Sequence, residues 1–161
     1  MKTQIYLDTS VINFLFADDS PEKKEITEDF FQNTVRAKVY DTFISGFVLT
    51  EIQLTKDSGK KSKLLNVLND YPISVLTISD EKEIRNLAQA YIDNSVIPEK
   101  KLFDALHIAV CTAYQVNFLV SWNFKHLANI RKEQQVRVVN IANNYFHDLR
   151  IISPTQLMNE P

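Results

Sequence analysis

Short strand-like segments alternate with longer helical patterns along this chain, and this alternation limits the possible folds more than any other feature. The strand-like segments are rich in β-branched and aromatic residues and lie at residues 5–7, 39–44, 73–76, 118–121 and 136–141. Strands that alternate with helices usually pair in parallel, and right-handed crossovers place the helices on both faces of the sheet. The sequence therefore predicts an α/β fold with a central parallel sheet of about five strands.

The size and composition of the chain predict one domain over residues 1–161. It has 161 residues, of which 45% are hydrophobic and only two are glycine. A chain of this length buries roughly 68–70% of the surface that its unfolded form exposes, so it needs no disulfide or metal to fold. This composition argues against a disordered or fibrous protein.

The compartment predicted from the sequence is the cytoplasm. Cys111 is the single cysteine and cannot form an internal disulfide, which favours a reducing compartment. No apolar run is long enough to span a bilayer, and the first residues lack the features of a signal peptide. Eighteen basic and twenty acidic residues provide no general basic field for coating nucleic acid. An enzyme whose carboxylates bind a divalent metal remains compatible with this charge.

Asp8 directly follows the first predicted strand. Ligand sites in open parallel sheets form at the carboxyl ends of strands, where the strand order reverses. Aspartate is also a good helix N-cap, and Thr9 or Ser10 could fill that role instead. The position of Asp8 therefore leaves both interpretations open.

The helix predicted from Pro98 to about Gln115 contains an isolated carboxylate. Between residues 102 and 114 its polar side chains are Asp104, His107 and Thr112. A helix that is apolar almost all round is a buried one, and a buried carboxylate needs a cation or strong hydrogen-bond donors. Asp104 is therefore a candidate metal-binding or catalytic residue, with a structural salt bridge to a lysine as the alternative.

Glu51 lies among apolar residues of another predicted helix. The alternative for this residue is a carboxylate on the solvent side, paired with Lys56.

His107 and Cys111 share a stripe with Asp104, which makes a zinc-dependent hydrolase conceivable. Such a site lacks a fourth ligand, however, and a buried histidine bonded to the backbone with a cysteine acting as a small hydrophobe is favoured.

Four short motifs of this chain resemble motifs of the PIN domain family, most closely those of its small bacterial members of the VapC toxin type. They read YLDTSVI at residues 6–12, VLTEI at 48–52, FDALHIA at 103–109 and LVSWNFKHL at 119–127. Together they follow the family's order and spacing from the first strand to about residue 141. The resemblance implies a three-layer α/β/α fold whose five parallel strands have the order 3-2-1-4-5.

The resemblance also implies a set of site residues. Asp8, Glu51 and Asp104 are the expected catalytic and metal-ligating carboxylates, and Asn123 is expected to complete the metal site. Oxygen ligands of this kind suit Mg²⁺ or Mn²⁺ rather than zinc. The family usually has a fourth acidic residue where this chain has Asn123, which leaves one or two metal ions open.

The activity implied by the resemblance is metal-dependent endonucleolytic cleavage of RNA, by the toxin of a type II toxin–antitoxin pair. The expected partners are an RNA substrate, a small antitoxin protein and a second copy of the chain. The alternative is a degenerate PIN-like domain that binds RNA or protein without cleaving it. Asn123 favours this alternative, and the three carboxylates argue against it.

Several residues near these carboxylates are predicted to contact substrate. Thr9 and Ser10 follow Asp8, and Lys125 follows Asn123. A group of lysines near Glu51 is predicted to contact phosphates without reading the base sequence: Lys56, Lys60, Lys61 and Lys63. The alternative for Lys125 is a solvated surface lysine.

Overall fold

A computed structural model describes residues 2–160 and contains one five-stranded sheet. The strands are β1 (Gln4–Leu7), β2 (Asp41–Ile44), β3 (Ile73–Val75), β4 (Phe118–Val120) and β5 (Arg150–Ile152). They lie in the order β3-β2-β1-β4-β5, and every neighbouring pair is parallel. The predicted fold class and strand order are confirmed.

Within residues 2–160, eight α-helices surround this sheet. They are α1 (Thr9–Asn13), α2 (Pro21–Phe30), α3 (Gly46–Gln53), α4 (Ser58–Asp70), α5 (Glu81–Asp93), α6 (Leu102–Ala113), α7 (Ile130–Ala142) and α8 (Pro154–Met158). Short 3₁₀ turns cover Phe14–Phe16 and Glu99–Lys101, and a π-helical turn covers Phe31–Val35. None of the helices in residues 2–160 has the length and apolar character needed to cross a bilayer.

The register of the central strands positions the site. Leu7 of β1 pairs with Val120 of β4, so the two strands end together. The backbone N–H of Asp8 then donates to the carbonyl of Val120 across 3.2 Å. Because β1 and β4 are parallel neighbours, the residues that follow them meet at one edge of the sheet.

Helix α6 is the central buried helix that its composition predicts. Its residues from Ala105 to Thr112 are all buried. The α-helix begins at Leu102 rather than at Pro98, because Glu99–Lys101 forms a 3₁₀ turn first. Asp104 therefore lies in the first turn of α6, near the edge of the sheet where β1 and β4 end.

The predicted strand at residues 136–141 is wrong, because these residues belong to α7. Asn129 caps that helix by accepting a hydrogen bond from the Lys132 N–H, and Val136, Val139 and Asn140 form its buried face. This spacing of three and four residues is helical, although the β-branched side chains favour a strand. The fifth strand is β5 instead, where the Ile151 N–H donates to Glu133 of α7.

The sequence also predicts a short helix from Phe124 to Ile130, and this prediction is wrong, since residues 124–129 form turns and bends. Two asparagines shape this segment: Asn123 accepts from the His126 N–H, and Asn129 donates to the Phe124 carbonyl. Side chains of this kind compete with helical backbone bonds. For residues 153–158 the sequence predicts one more helical turn, which is present as α8.

Candidate active site

Asp8 is buried at the carboxyl end of β1 and is held by three hydrogen bonds. The hydroxyls of Ser10 and Ser121 donate to its two carboxylate oxygens, each at 2.5 Å, and the Val11 N–H donates at 3.3 Å. Asp8 thus caps α1 itself and also lies at the edge of the sheet where a ligand site is expected. Burial raises the pKa of Asp8, and His107 and the hydrogen bonds partly offset this effect.

Glu51 extends from α3 toward the same edge. Its Oε1 accepts hydrogen bonds from the Thr9 hydroxyl and from His107 Nε2, both at 2.6 Å. The alternative pairing with Lys56 is therefore not the arrangement that the structure shows. Burial tends to raise the pKa of Glu51, but the bonds from His107 and Thr9 outweigh it and lower the pKa.

His107 links Glu51 to the core through a chain of hydrogen bonds. Its Nε2 faces the Glu51 carboxylate, and its Nδ1 lies 2.7 Å from the Tyr6 hydroxyl. Tyr6 in turn lies 2.6 Å from the Ser45 hydroxyl. Because a carboxylate accepts, His107 carries a proton on Nε2, and its neutral form accepts from Tyr6. This buried histidine bonds side chains rather than the backbone.

Asp104 completes the group of carboxylates from the first turn of α6. Its Oδ2 accepts a hydrogen bond from Asn123 Nδ2 at 3.1 Å. Within residues 2–160 no lysine or arginine forms an ion pair with it, so the alternative of a structural salt bridge fails. Burial and then the negative charges of Asp8 and Glu51 raise the pKa of Asp104 to about 6.

Asn123 connects the end of β4 to Asp104 through an amide of defined orientation. Its Oδ1 accepts from the His126 N–H at 3.0 Å, while its Nδ2 donates to Asp104. The reverse orientation would place an oxygen against a carboxylate and an NH₂ group against an N–H. The amide oxygen of Asn123 is therefore occupied by the backbone, and its donor faces the site.

The three residues predicted to contact substrate differ in their surroundings. The hydroxyls of Thr9 and Ser10 donate to Glu51 and Asp8, so both residues orient carboxylates. Lys125 is exposed beyond Asn123. Lys101, which sequence reasoning missed, lies close enough to lower the pKa of both Glu51 and Asp104. Its position three residues before Asp104, one turn away on a helix, is the signal that could have identified it.

Ser121 and Tyr6 were also missed by sequence reasoning. The Ser121 hydroxyl bonds Asp8, and the Tyr6 hydroxyl bonds His107. Each contact joins residues more than 100 positions apart in the sequence, so local patterns do not reveal it. A serine directly after a strand that neighbours β1 was the available signal for Ser121. The sequence carries no comparable signal for Tyr6, whose hydroxyl belongs to an otherwise ordinary strand residue.

The donor set at this edge fits a hard divalent cation that keeps part of its hydration shell. Magnesium typically retains several waters and binds through one or two carboxylates. Within residues 2–160 no three histidine, cysteine or acidic side chains are grouped so that they could hold a metal ion together. This finding supports neither a closed zinc site around Asp104, His107 and Cys111 nor a closed three-ligand site of Asp8, Glu51 and Asp104. Burial also raises the pKa of the Cys111 thiol. Metal ligation by Asp8, Glu51, Asp104 and Asn123 stays a prediction.

Comparison with known proteins identifies the family. The profile of the PIN domain matches residues 5–132, which cover most of the chain and include all three carboxylates. The chain belongs to the PIN domain family. Its fold is similar to that of a chain in the crystal structure of VapBC2 from Rickettsia felis bound to a DNA fragment from their promoter. That similarity has a TM-score of 0.54 at 15% identity and covers 94% of this chain and 98% of the other. No curated protein matches the sequence.

Membership of the PIN family agrees with the motifs that suggested it. PIN domains are generally nucleases, and they typically use divalent metal ions. In this PIN domain the carboxylates of β1, α3 and α6 gather where β1 and β4 end, at the reversal of the strand order. The position of the site thus follows from the topology of the sheet.

Proposed function

We propose that this PIN domain is a metal-dependent endoribonuclease in which Asp8, Glu51 and Asp104 are the catalytic carboxylates. One observation carries the proposal: Asp8 and Glu51 lie close enough to Asp104 for their charges to raise its pKa, and none of the three has a lysine or arginine ion pair in residues 2–160. Uncompensated charge of this kind is costly, and a cation bound in the site would relieve it.

The side chains would divide the work at a divalent ion, Mg²⁺ or Mn²⁺. Asp104 offers the least constrained carboxylate, because its single hydrogen bond comes from Asn123. Ser10 and Ser121 fix Asp8, and His107 with Thr9 fixes one oxygen of Glu51. A bound divalent ion would supply activation of water and stabilisation of the departing oxygen. Lys125 would contact phosphates and position the strand.

The biological setting is part of the same proposal. The resemblance to VapC-type proteins supports the toxin of a type II toxin–antitoxin pair, acting as a single domain in the cytoplasm. Its partners would be the RNA substrate, a small antitoxin protein and a second copy of the chain. Inspection of the neighbouring genes tests the antitoxin part independently of the chemistry.

A cleavage assay tests the proposed activity. Purified protein is incubated with total tRNA and rRNA in Mg²⁺, in Mn²⁺ or in EDTA, and the products are resolved on denaturing gels. We expect discrete fragments with either metal and none in EDTA or with Asp104→Asn. Equal cleavage in EDTA, or by the Asp104→Asn variant, would contradict the proposal because both would point to a contaminating nuclease.

The second candidate is a degenerate domain that binds RNA or protein without cleaving. The observation that favours it is the Asn123 amide, which donates to Asp104 where the family usually has another acid. This donor partly satisfies Asp104 without a cation. Binding of RNA by the wild type that is unaffected by metal, with no fragments under any condition, would select this candidate.

A further inference from the structure

Three aromatic rings surround the Lys23 ammonium. The Nζ of Lys23 lies 5.4 Å from the ring centre of Phe14, 5.6 Å from that of Trp122 and 5.3 Å from that of Phe124. All three distances are within the range of a cation–π interaction. Trp122 also packs against both phenylalanines, with ring centres 5.9 Å and 6.0 Å apart. We call this group the aromatic cluster.

The aromatic cluster is attached directly to the catalytic residues. The backbone N–H of Trp122 donates to Ser10, whose hydroxyl donates to Asp8. Between Trp122 and Phe124 lies Asn123, which donates to Asp104. Hydrogen bonds to Ser10 and Asp104 therefore hold the segment from Trp122 to Phe124 in place.

Phe124 presents its ring to solvent, while Trp122 is fixed beneath it. Trp122 is 6% exposed and its indole N–H donates to Thr27 at 2.9 Å, whereas Phe124 is 46% exposed. The two rings meet edge to face at 80°. Phe124 is thus partly exposed to solvent on a support that cannot easily move.

Single exposed aromatic residues are common on protein surfaces, and exposure alone would mean little. Phe146, for example, is 75% exposed on the segment before β5, away from the carboxylates. Phe124 differs because it adjoins Asn123, packs on a buried indole and has a cation beside it. These are the components of sites that stack an unpaired base and hold its phosphate.

We propose that Phe124 is the stacking platform for one nucleobase of the RNA, supported by Trp122, with Lys23 contacting the adjacent phosphate. This inference rests on the proposed nuclease function and adds a base-binding position at the rim of its site. Stacking tolerates different bases, because every base has a π-face. The platform would therefore favour strongly stacking purines without reading their hydrogen-bonding edges.

Binding in EDTA tests the platform separately from cleavage. Fluorescein-labelled oligoadenylate and an abasic strand of equal length are titrated with the wild type, and polarisation gives each Kd. Trp122 is the single tryptophan of the chain, so its fluorescence reports occupancy of the cluster. We expect Phe124→Ala to weaken oligoadenylate binding about tenfold and to leave the abasic strand unchanged.

Two variants serve as controls, and a third tests the cation. Phe124→Leu keeps an apolar side chain without a π-face and should bind as weakly as Phe124→Ala, whereas Phe146→Ala should match the wild type. Lys23→Met should flatten the plot of log Kd against log salt concentration, by the slope of about one phosphate contact, for both strands. Thermal unfolding of each variant in EDTA verifies that it is folded.

The outcomes separate this inference from the proposed function. Equal oligoadenylate affinities for the wild type and Phe124→Ala would overturn the platform, even in an enzyme that cleaves RNA. Equal losses on both strands would overturn it too, because they would show a phosphate or structural effect. Absence of metal-dependent cleavage, by contrast, would refute the nuclease and leave the base-binding result standing.

Discussion

The two ends of α6 carry buried polar side chains that serve different purposes. Near its first turns, Asp104 and His107 belong to a group of charged and hydrogen-bonded residues at the edge of the sheet. Near its last turn, Thr112 belongs to a neutral network with Tyr91 and Asn140. A single helix thus supports the site at one end and the stability of the fold at the other.

The neutral network satisfies its members without any external ligand. The Tyr91 hydroxyl donates to Asn140 Oδ1 at 2.5 Å, and Asn140 Nδ2 donates to Thr112 at 3.2 Å. Burial raises the pKa of Tyr91, so its hydroxyl stays protonated and able to donate. The three carboxylates at the other end accept hydrogen bonds but have no lysine or arginine ion pair within residues 2–160, so charge without a basic partner distinguishes the end that carries the candidate site.

The largest expected effect comes from Asp104→Asn, which should abolish cleavage while leaving the thermal midpoint in EDTA unchanged or higher. The amide keeps an acceptor for Asn123, and it removes a charge that Asp8 and Glu51 repel. Gel assays and thermal unfolding measure the two effects. A large fall in the midpoint would show that Asp104 is structural and would remove the contrast between the two ends.

Asn140→Ala should show the opposite pattern at the other end of α6. It removes the acceptor of the Tyr91 hydroxyl and the donor to Thr112, leaves these two hydroxyls with only their mutual bond at 3.1 Å, and opens a small cavity. Together these losses cost about 2 to 3 kcal/mol of unfolding free energy. Cleavage per folded molecule should not change. Urea unfolding and the RNA assay measure both quantities, and a specific loss of cleavage in fully folded protein would mean that the neutral network also serves the site.

The pH dependence of stability provides a third comparison. Because the folded pKa of Asp104 is about 6 and the ordinary value is 3.8, the folded state binds this proton more tightly than the unfolded state does. In EDTA, protonation should therefore stabilise the wild type as pH falls from about 7 toward 4, by about 1 to 3 kcal/mol. Above the folded pKa of about 6, Asp104 is ionised in the folded state, and its buried charge lowers the unfolding free energy by the full amount.

The measured quantity is the difference in unfolding free energy between wild type and Asp104→Asn at each pH. Groups that do not interact with Asp104 contribute equally to both proteins and cancel in this difference. The difference should shrink as pH falls below about 6. A difference that stays constant with pH would show that Asp104 does not titrate as described.

Asn123→Asp should produce the smallest of these effects. It adds negative charge at the carboxylate end of α6 and so increases the difference in charge from the neutral network at the other end. It replaces the donor to Asp104 with another carboxylate, which should lower the thermal midpoint in EDTA and tighten Mn²⁺ or Mg²⁺ binding. After desolvation, the net gain in metal binding is about 1 kcal/mol, or roughly fivefold. Isothermal titration with metal measures it.

Asn123→Ala is the matched control for this substitution. It removes both the donor to Asp104 and the acceptor for the His126 N–H, at a cost of about 1 kcal/mol for the lost cap. We expect weaker metal binding than in Asn123→Asp, because alanine adds no charge to the site. Identical metal affinities in the three proteins would mean that Asn123 shapes the turn and has no electrostatic effect on the site.

Local patterns in the sequence determined four of the five strands, the strand order through the family motifs, and the positions of the carboxylates along the chain. Asp8 follows a strand, and Asp104 interrupts an otherwise apolar helix. Both signals are local, because a strand end and a buried helix face are visible within a few residues. The same signals led to the PIN family, whose profile covers this part of the chain.

The tertiary structure alone decided which β-branched segment became the last strand. Residues 136–141 favour a strand by composition, yet their buried face is helical, and residues 150–152 occupy the edge beside β4. It also decided that His107 bonds Glu51 and that the Asn123 amide faces Asp104. Each of these contacts joins residues distant in the chain, so packing and hydrogen-bond satisfaction select them where local propensity cannot.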